Sequence, residues 1–299
     1  MDESNFPAGL ITGLERRRLP GDGIEIDALV GGSGPPLLLL HGYPQSRLMW
    51  KTLVPVLLPH FTLVVPDLRG YGRSDAPPDP AGTGLYSKRV VARDQIATMN
   101  GLGWDRFYVA GHDRGARAAY RMAFDHPAAV EKLAVIDVVP TAEVFQSGFA
   151  AGMNLFHWSF LSQPHPLPEQ LLEGRGALFV RHLFERWTKD NFHFDPEALQ
   201  DYLFWAGRSD NVHATCADYR AAWHHDQHHD REDLECGKIT CPVRVIWGNA
   251  GATGGATPLD VWRNWAENCS GLGLPTGHFV PEEAPEEVAQ DLIAFFNRP

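Results

Sequence analysis

The chain has 299 residues, of which 44% are hydrophobic and 21% charged, an ordinary balance for one large globular domain or two small ones. The formal net charge of −11 argues against binding to nucleic acid or to anionic membranes, so an anionic ligand needs a local positive patch. The four cysteines show no C-x-x-C spacing, the amino terminus lacks an apolar signal stretch, and no apolar run has the length of a membrane span. These features predict a cytoplasmic protein with reduced thiols.

Apolar runs alternate with helical patterns in the first half of the chain. Strand patterns lie at residues 24–30, 37–40, 61–65, 106–110 and 132–137, and helical patterns at 86–101 and 116–123. The first strand alternates apolar and polar residues, which is typical of an edge strand, whereas the next two are continuously apolar, as strands buried on both faces are. This alternation predicts an α/β protein whose mostly parallel, doubly wound sheet has helices on both faces.

The regular alternation stops after residue 137 and returns near residue 241. Between them the chain is rich in aromatic residues, histidine and proline, with helices predicted near 141–156, 167–188 and 196–206. A strand at 242–247, a helix at 258–267 and a final segment over 281–297 complete the pattern. We therefore predict a core domain of residues 1–137 and 241–299 and an inserted helical cap of residues 138–240. The cap would lie over the strand ends, where open α/β sheets bind ligands.

Residues 111–115, Gly-His-Asp-Arg-Gly, follow the strand at 106–110 and lead into a helix. This G-x-nucleophile-x-G pattern is typical of a nucleophile elbow, a sharp turn that lifts the central side chain to the top of the sheet. Glycines flank the centre because the turn leaves no room for a Cβ. The central residue is Asp113 rather than serine. The alternative interpretation is a simple strand–turn–helix in which Asp113 caps the helix.

A carboxylate at such a turn has a chemistry of its own. It can displace a leaving group from a saturated carbon and become an alkyl ester, whose carbonyl then belongs to the aspartate itself. Water deprotonated by a histidine can attack that carbonyl and regenerate the carboxylate. A serine in the same place would give an ether, which cannot be hydrolysed in this way. Asp113 therefore favours carbon–halogen or epoxide substrates and argues strongly against a serine-type esterase.

The base and its orienting acid are predicted from their positions after strands. His278 is the only histidine after His229, and it lies in a loop before the final helix. An acid must orient this imidazole and stabilise its charged form. No acid follows the strand at 242–247 before Asp260, so Asp137, at the end of the preceding strand, is the better candidate. The alternatives are a packing or capping histidine and a strand-end aspartate.

Arg114 and Arg117 stand three residues apart on the first turn of the elbow helix and therefore share one face. Two guanidinium groups beside a catalytic carboxylate suit a bidentate grip on a substrate carboxylate. The alternative is that both arginines make surface salt bridges, as most helix arginines do.

Five motifs in order resemble those of haloacetate (fluoroacetate) dehalogenases, which have the α/β-hydrolase fold. The motifs are His-Gly-Tyr-Pro-Gln at 41–45, the elbow at 111–117, His-Trp-Ser-Phe at 157–160, Asp-Tyr-Arg at 218–220 and Gly-His-Phe-Val-Pro-Glu-Glu-Ala-Pro at 277–285. The resemblance covers nearly the whole chain. It implies hydrolytic removal of halide from small 2-halo carboxylic acids, the same choice of Asp137 as acid, and a homodimer. The expected partners are the halo acid and water, and the mechanism needs no cofactor.

The resemblance also assigns roles to binding groups. Backbone N–H groups of Tyr43 and Arg114 would stabilise the oxyanion that forms when water attacks the ester. The family more often has phenylalanine where Tyr43 stands, which matters little if only the backbone acts.

The resemblance further implies that His157, Trp158 and Tyr219 bind the departing halide, with Trp187 lining the pocket. The three halide-binding candidates have plainer interpretations: Trp158 and Tyr219 as aromatic residues of the cap core, and His157 as a buried histidine with its hydrogen bonds satisfied. A further cluster, His-His-Asp-Gln-His-His-Asp at 224–230, has spacings that suit metal ligands on a helix, but we interpret it as a solvated cap helix and predict no metal site.

Two other functions remain open. An epoxide hydrolase would use the same nucleophile, but it would present two cap tyrosines, whereas Tyr219 is accompanied by a histidine and a tryptophan. Epoxide hydrolases also tend to have tryptophan where Arg114 stands. The second alternative is a ligand-binding relative without catalysis, against which the complete set of Asp113, His278 and Asp137 argues.

Overall fold

In the computed structural model, which describes residues 9–146, 153–250 and 257–298, eight strands form one sheet. They are β1 (Glu15–Pro20), β2 (Glu25–Gly32), β3 (Pro36–Leu40), β4 (Thr62–Pro66), β5 (Phe107–His112), β6 (Val130–Ile136), β7 (Val243–Gly248) and β8 (Cys269–Leu274). Their spatial order is β1-β2-β4-β3-β5-β6-β7-β8. The β1–β2 and β2–β4 pairs are antiparallel and all others are parallel. The predicted α/β class is confirmed.

The helices of the sheet-forming part lie between and after the strands. They are α1 (Val54–Leu57), α2 (Lys88–Gly101) and α3 (Arg114–Asp125), then α11 (Pro258–Trp262), α12 (Val280–Glu283) and α13 (Pro285–Phe296), with a 3-10 turn over Arg47–Trp50. α2 packs on α3, and α1 packs on α13. The side chains of Leu37 to Leu40 in β3 are completely buried, as a strand covered on both faces requires.

Between β6 and β7 every regular element in the described ranges is helical. These helices are α4 (Thr141–Gln146), α5 (Phe156–Leu161), α6 (Leu167–Leu172), α7 (Gly176–Trp187), α8 (Pro196–Ala206), α9 (Ser209–Ala221) and α10 (Gln227–Cys236), with a π-helical stretch over Ala222–Asp226. We call residues 138–240 the inserted segment. Of the helix predicted over 141–156, residues 147–152 lie outside the described residues.

Several predicted elements differ from the structure. The strand predicted at 24–30 is not an edge strand, because the charged strand β1 pairs with its outer side. The alternation expected there also fails, since Asp27 is buried and receives hydrogen bonds from Arg16 and Arg47. The helix predicted over 167–188 is interrupted near Gly174, whose φ of +66° does not fit a helix.

The carboxyl-terminal part also departs from the prediction. The helix predicted over 258–267 ends at Trp262, because the chain turns there into β8, which was not predicted. The four cysteines carry free thiols, as expected. Among the helices of the described ranges, none combines the length and the apolar character that a bilayer-spanning segment requires.

Candidate active site

Asp113 stands at the sharp turn between β5 and α3. Its backbone has φ 45° and ψ −114°, a strained conformation for a residue other than glycine. A Cβ on Gly111 would lie 2.6 Å from the backbone nitrogen of Ala116, and one on Gly115 would overlap the carbonyl oxygen of His41. The Asp113 side chain makes no capping hydrogen bond to α3, so the capping interpretation is wrong. The turn instead presents this carboxylate to the site above the sheet.

The Asp113 carboxylate accepts a hydrogen bond from the backbone N–H of Tyr43, 3.0 Å from its Oδ1. Burial raises the pKa of Asp113, but the charges of His278 and Arg117 outweigh burial and hold that pKa below its ordinary value. The group is therefore ionised at neutral pH, as a nucleophile must be. In the described part of the chain, no hydrogen bond joins the Arg114 amide to this carboxylate, and the oxyanion role of both N–H groups stays a prediction.

The structure brings His278 and Asp137 together. Nδ1 of His278 lies 2.6 Å from Oδ2 of Asp137, and the other carboxylate oxygen accepts a hydrogen bond from the Gly248 N–H at 3.0 Å. Asp137 follows β6 with φ 51°, and its own N–H donates to the carbonyl of Ile246 in β7. Two strand ends therefore fix the acid that orients the imidazole.

Burial opposes a positive charge on His278, but the hydrogen bond and the charge of Asp137 outweigh burial and raise the pKa of His278 above its ordinary value. The loop that carries it is held at three points. The His278 N–H donates to the Trp187 carbonyl at 2.8 Å, and the Glu283 carboxylate accepts the N–H groups of Gly277 and Phe279. The sequence analysis included Glu283 in the motif at 277–285 but did not predict that it holds the His278 loop.

Arg114 and Arg117 are both buried, so the surface interpretation is wrong. Nε and Nη2 of Arg114 donate to the two carboxylate oxygens of Asp218, at 2.8 and 2.5 Å. Nη1 of Arg117 donates to the Val139 carbonyl and the Thr141 hydroxyl, each at 3.0 Å. Asp218 therefore already occupies two nitrogens of Arg114, and the predicted grip of both arginines on a substrate carboxylate stays a prediction.

Each of these arginines nevertheless keeps one buried nitrogen without a partner among the described residues, Nη1 in Arg114 and Nε in Arg117. Nδ1 of His157 is also buried and has no hydrogen-bond partner among the described residues. Buried donors without acceptors are rare and costly in folded proteins, since they lose hydration without compensation. These nitrogens can donate hydrogen bonds to an anionic ligand, and both guanidinium groups lie over the Trp158 ring.

The predicted aromatic residues surround the arginines and the imidazoles. The Tyr219 ring centroid lies 4.4 Å from the Arg114 guanidinium carbon and 5.2 Å from the Trp158 ring. The His157 ring lies 5.6 Å from Tyr219 and 4.6 Å from Trp187. Burial lowers the pKa of His157 to about 3, so its imidazole is neutral and offers one N–H donor. The structure thus assembles all four side chains beside the Arg114 guanidinium and His278.

Tyr43 contacts this site and also lines a neighbouring cavity. Its ring packs edge-on against Tyr219 at 5.4 Å and stacks on His157 at 6.4 Å. The cavity lies between the inserted helices and the loops at 43–45 and 71–72, and its largely apolar lining includes Tyr43, Tyr71, Phe179, Val180, Tyr202, Trp205 and Val212. Asp113 and the two arginines are not part of this lining, so the cavity adjoins the reacting groups without containing them.

One cluster of the described residues has the spacing of a metal site, His165, Glu169 and His213 in the inserted segment. The Glu169 oxygen that faces both histidines already accepts a hydrogen bond from Arg220 at 2.6 Å. Nε2 of His213 accepts the N–H of Asp79, so its proton is on Nδ1, which points at Glu169. A protonated nitrogen cannot bind a metal, and an arginine repels one, so these residues do not fit a metal ion.

The sequence profile of the alpha/beta hydrolase fold matches residues 35–285. The chain is 38% identical over 292 residues to the fluoroacetate dehalogenase of Burkholderia sp, covering 96% of this chain and 95% of that protein. It is 30% identical over 283 residues to the soluble epoxide hydrolase of Corynebacterium sp. (strain C12), covering 92% and 94%. A crystal structure assigned to the alpha/beta hydrolases, from Nostoc sp PCC 7120, superposes with a TM-score of 0.94 at 43% identity, covering 97% of this chain and 100% of that one.

Proposed function

This chain belongs to the α/β-hydrolase family, and we propose that it hydrolyses small 2-halo carboxylic acids, such as fluoroacetate or chloroacetate, to glycolate and halide. One observation carries the proposal: the ionised Asp113 stands beside two buried arginines, each of which has one nitrogen without a hydrogen-bond partner among the described residues. A substrate carboxylate offers two oxygens that accept hydrogen bonds from these nitrogens and a negative charge that complements theirs, whereas a neutral substrate lacks that charge. The similarity to a fluoroacetate dehalogenase supports the same substrate class.

In the first step an oxygen of Asp113 attacks the carbon that bears the halogen. The new C–O bond forms as the C–X bond breaks, the halide leaves with the bonding electron pair, and an ester of Asp113 results. N–H and O–H donors of His157, Trp158 and Tyr219 would stabilise the halide as it separates. Fluoride makes the greatest demand on such donors, because it is small and holds its charge tightly.

In the second step His278 takes a proton from water, and the resulting hydroxide attacks the ester carbonyl carbon of Asp113. The Tyr43 N–H would stabilise the oxygen on which negative charge collects. Collapse of this intermediate releases the glycolate oxygen, which takes the proton from His278. Asp113 is left as a carboxylic acid, which loses the second proton of the attacking water to solvent and becomes a carboxylate again. Asp137 keeps the imidazole oriented and stabilises its charged form.

Epoxide hydrolysis is the second candidate, because the soluble epoxide hydrolase relative is 30% identical over nearly the whole chain. The same carboxylate could open an epoxide, but the ring oxygen would then need acidic donors placed to protonate it. Two buried cations near Asp113 favour an anionic substrate instead. A ligand-binding role without catalysis is disfavoured by the His278–Asp137 hydrogen bond. A separate cap domain over residues 138–240, a homodimer and a cytoplasmic location stay predictions.

The test is halide release from fluoroacetate and chloroacetate, measured with ion-selective electrodes, alongside diol formation from styrene oxide. We expect halide release by the wild-type chain and none above background by Asp113→Ala. Asp260→Ala, which removes an exposed aspartate from α11, is the control and should retain the activity. Diol formation without halide release would show that the protein is an epoxide hydrolase instead. Undiminished halide release by Asp113→Ala would show that Asp113 is not the nucleophile.

A further inference from the structure

We propose that Asp218 orients Arg114 and that Lys88 offsets the charge of Asp218, so that Arg114 still presents a positive charge to a bound carboxylate. Neither residue is given a role by the chemistry above, and both act through Arg114. The proposal rests on the proposed function, because it concerns how the site attracts a halo acid anion.

Asp218 fixes the plane of the Arg114 guanidinium. Two hydrogen bonds join Nε and Nη2 to the carboxylate, and Nη2 also donates to the backbone carbonyl of Asp218 at 3.0 Å. Asp218 lies on α9 of the inserted segment, whereas Arg114 begins α3. Because a planar fork held at two nitrogens cannot rotate, Nη1 is left in one orientation, buried and without an acceptor among the described residues.

This pairing creates an electrostatic problem for the proposed substrate. A guanidinium paired with a carboxylate forms a neutral unit, and both groups are buried, so water screens neither of them. The Asp218 carboxylate would repel a substrate anion at nearly the distance from which Arg114 attracts it. Without a further cation, Arg114 would orient a carboxylate but would attract it weakly.

Lys88 supplies the further cation. Its Nζ donates to Oδ1 of Asp218 in a short contact, while the Tyr71 hydroxyl donates to Oδ2 at 3.0 Å. Lys88 is 2% exposed and Asp218 is 1% exposed. Burial and the charge of Arg114 lower the pKa of Lys88, and the contact with Asp218 opposes that shift. With Lys88 protonated, the three groups form a buried unit with a formal charge of +1. Burial raises the pKa of Asp218, but the charges of Arg114 and Lys88 outweigh it and keep the carboxyl ionised. The net positive charge of this unit can attract the carboxylate of the substrate.

Asp226 is the other acid beside Lys88. Its Oδ1 accepts the backbone N–H of Lys88 at 2.8 Å at the start of α2, and its Oδ2 has no partner among the described residues. Burial raises the pKa of Asp226, which shifts this carboxyl toward its neutral form. Among the described residues, no hydrogen bond joins the Asp226 carboxylate to the Lys88 ammonium. The Lys88 ammonium is directed to Asp218 instead.

The test compares Lys88→Met with the wild-type chain, using glycolate as the binding probe and chloroacetate as the substrate. Methionine keeps an unbranched side chain of similar length and removes the charge. We expect the glycolate Kd and the chloroacetate KM to rise roughly tenfold, as loss of a buried charge several ångströms away implies, with ester hydrolysis unchanged in a single turnover. Lys51→Met is the control, because it removes the same charge from a half-exposed lysine paired with Asp195 and Glu197.

A double variant separates charge from folding. Lys88→Met/Asp218→Asn removes the offsetting cation together with the carboxylate that it offsets, so Arg114 is again cationic and glycolate should bind several-fold more tightly than to Lys88→Met. A purely structural role predicts the opposite, since two losses should weaken binding further. The proposal is overturned if the double variant binds no more tightly than Lys88→Met, or if a folded Lys88→Met binds glycolate like the wild type. If the wild-type chain neither binds glycolate nor releases halide, the proposed function is wrong, and the role proposed for Lys88 and Asp218 is wrong as well.

Discussion

Nδ1 of His278 lies 2.6 Å from Oδ2 of Asp137, although 141 residues separate the two in the chain. The hydrogen bond fixes the proton on Nδ1 and leaves Nε2 free to accept one from water. The negative charge of Asp113 adds to that of Asp137 in favouring protonated His278. In the proposed reaction, esterification would remove the charge of Asp113 and so lower the pKa of His278, which would leave more of this imidazole neutral when water must be activated.

A pH dependence follows from the direction of two pKa shifts. Burial opposes charge on His278, but Asp137 raises its pKa, so the neutral base is lost as the pH falls through a value above 6.5 in the free protein. Burial raises the pKa of Asp113, but neighbouring positive charges outweigh burial and hold that pKa below 3.8. Asp113 therefore stays ionised over the pH range in which His278 becomes protonated. Stopped-flow measurements with chloroacetate should show alkylation independent of pH between about 5 and 8, with ester hydrolysis slowing toward the acid end. If alkylation and ester hydrolysis slowed equally at acid pH, the assignment of Asp113 as nucleophile and His278 as base would be contradicted.

His278→Gln should stop the reaction after its first step. Glutamine cannot take a proton from water, while Asp113 and the arginines remain in place. One halide should be released per chain, and mass spectrometry of the peptide containing Asp113 should show the added carboxymethyl group. The control is His278→Gln/Asp113→Ala, which should carry no added mass. Continued turnover by His278→Gln would assign the base to another residue.

Arg117→Gln tests the carboxylate site without disturbing the Arg114–Asp218 pair. We expect kcat/KM for chloroacetate to fall by about 2 kcal/mol of transition-state binding, because a charged hydrogen bond to the substrate is lost. Arg263→Gln, which changes an exposed arginine on the surface, is the matched control. A change in kcat/KM no larger than that of the control would show that Arg117 does not hold the substrate.

Gly248 controls how closely the His278 loop approaches β7. Its N–H binds Asp137, and a Cβ at this position would overlap the carbonyl oxygen of Gly277. Gly248→Ala should therefore lower the free energy of unfolding by about 1–3 kcal/mol and slow ester hydrolysis more than alkylation. Gly207→Ala, whose Cβ would lie 3.3 Å from its nearest neighbour, is the control. Thermal unfolding and single-turnover kinetics measure the two effects, and a stable, fully active Gly248→Ala would show that the loop has room to move.

Local patterns were sufficient to predict the elbow and the strands that flank it. The continuous apolar run of β3 and the Gly-His-Asp-Arg-Gly sequence are consequences of burial and of a tight turn, both of which depend on neighbours in the chain. β1 and β8 were missed because their composition is atypical: the first is Glu-Arg-Arg-Arg-Leu-Pro and the second Cys-Ser-Gly-Leu-Gly-Leu. Pairing with a neighbouring strand, rather than intrinsic preference, makes them strands.

The sequence predicted those site residues that follow strands. It did not predict those that are brought to the site by the packing of distant helices. Asp137 and His278 could be chosen by elimination, since few acids and histidines follow the right strands. Asp218 was quoted only within a motif, and Lys88, 130 residues earlier, gave no signal of any kind. Their contact arises from packing of the inserted segment on α2, which no local pattern contains.

The most direct test of the account follows the oxygen of water through a single turnover. Excess protein reacts with chloroacetate in ¹⁸O-labelled water, and the peptide containing Asp113 and the released glycolate are both analysed by mass spectrometry. If Asp113 forms an ester that His278-activated water opens at its carbonyl, the label enters the Asp113 carboxylate and the glycolate is unlabelled. Label in the glycolate with none in Asp113 would mean that water attacks the substrate carbon directly, and the covalent mechanism would be wrong.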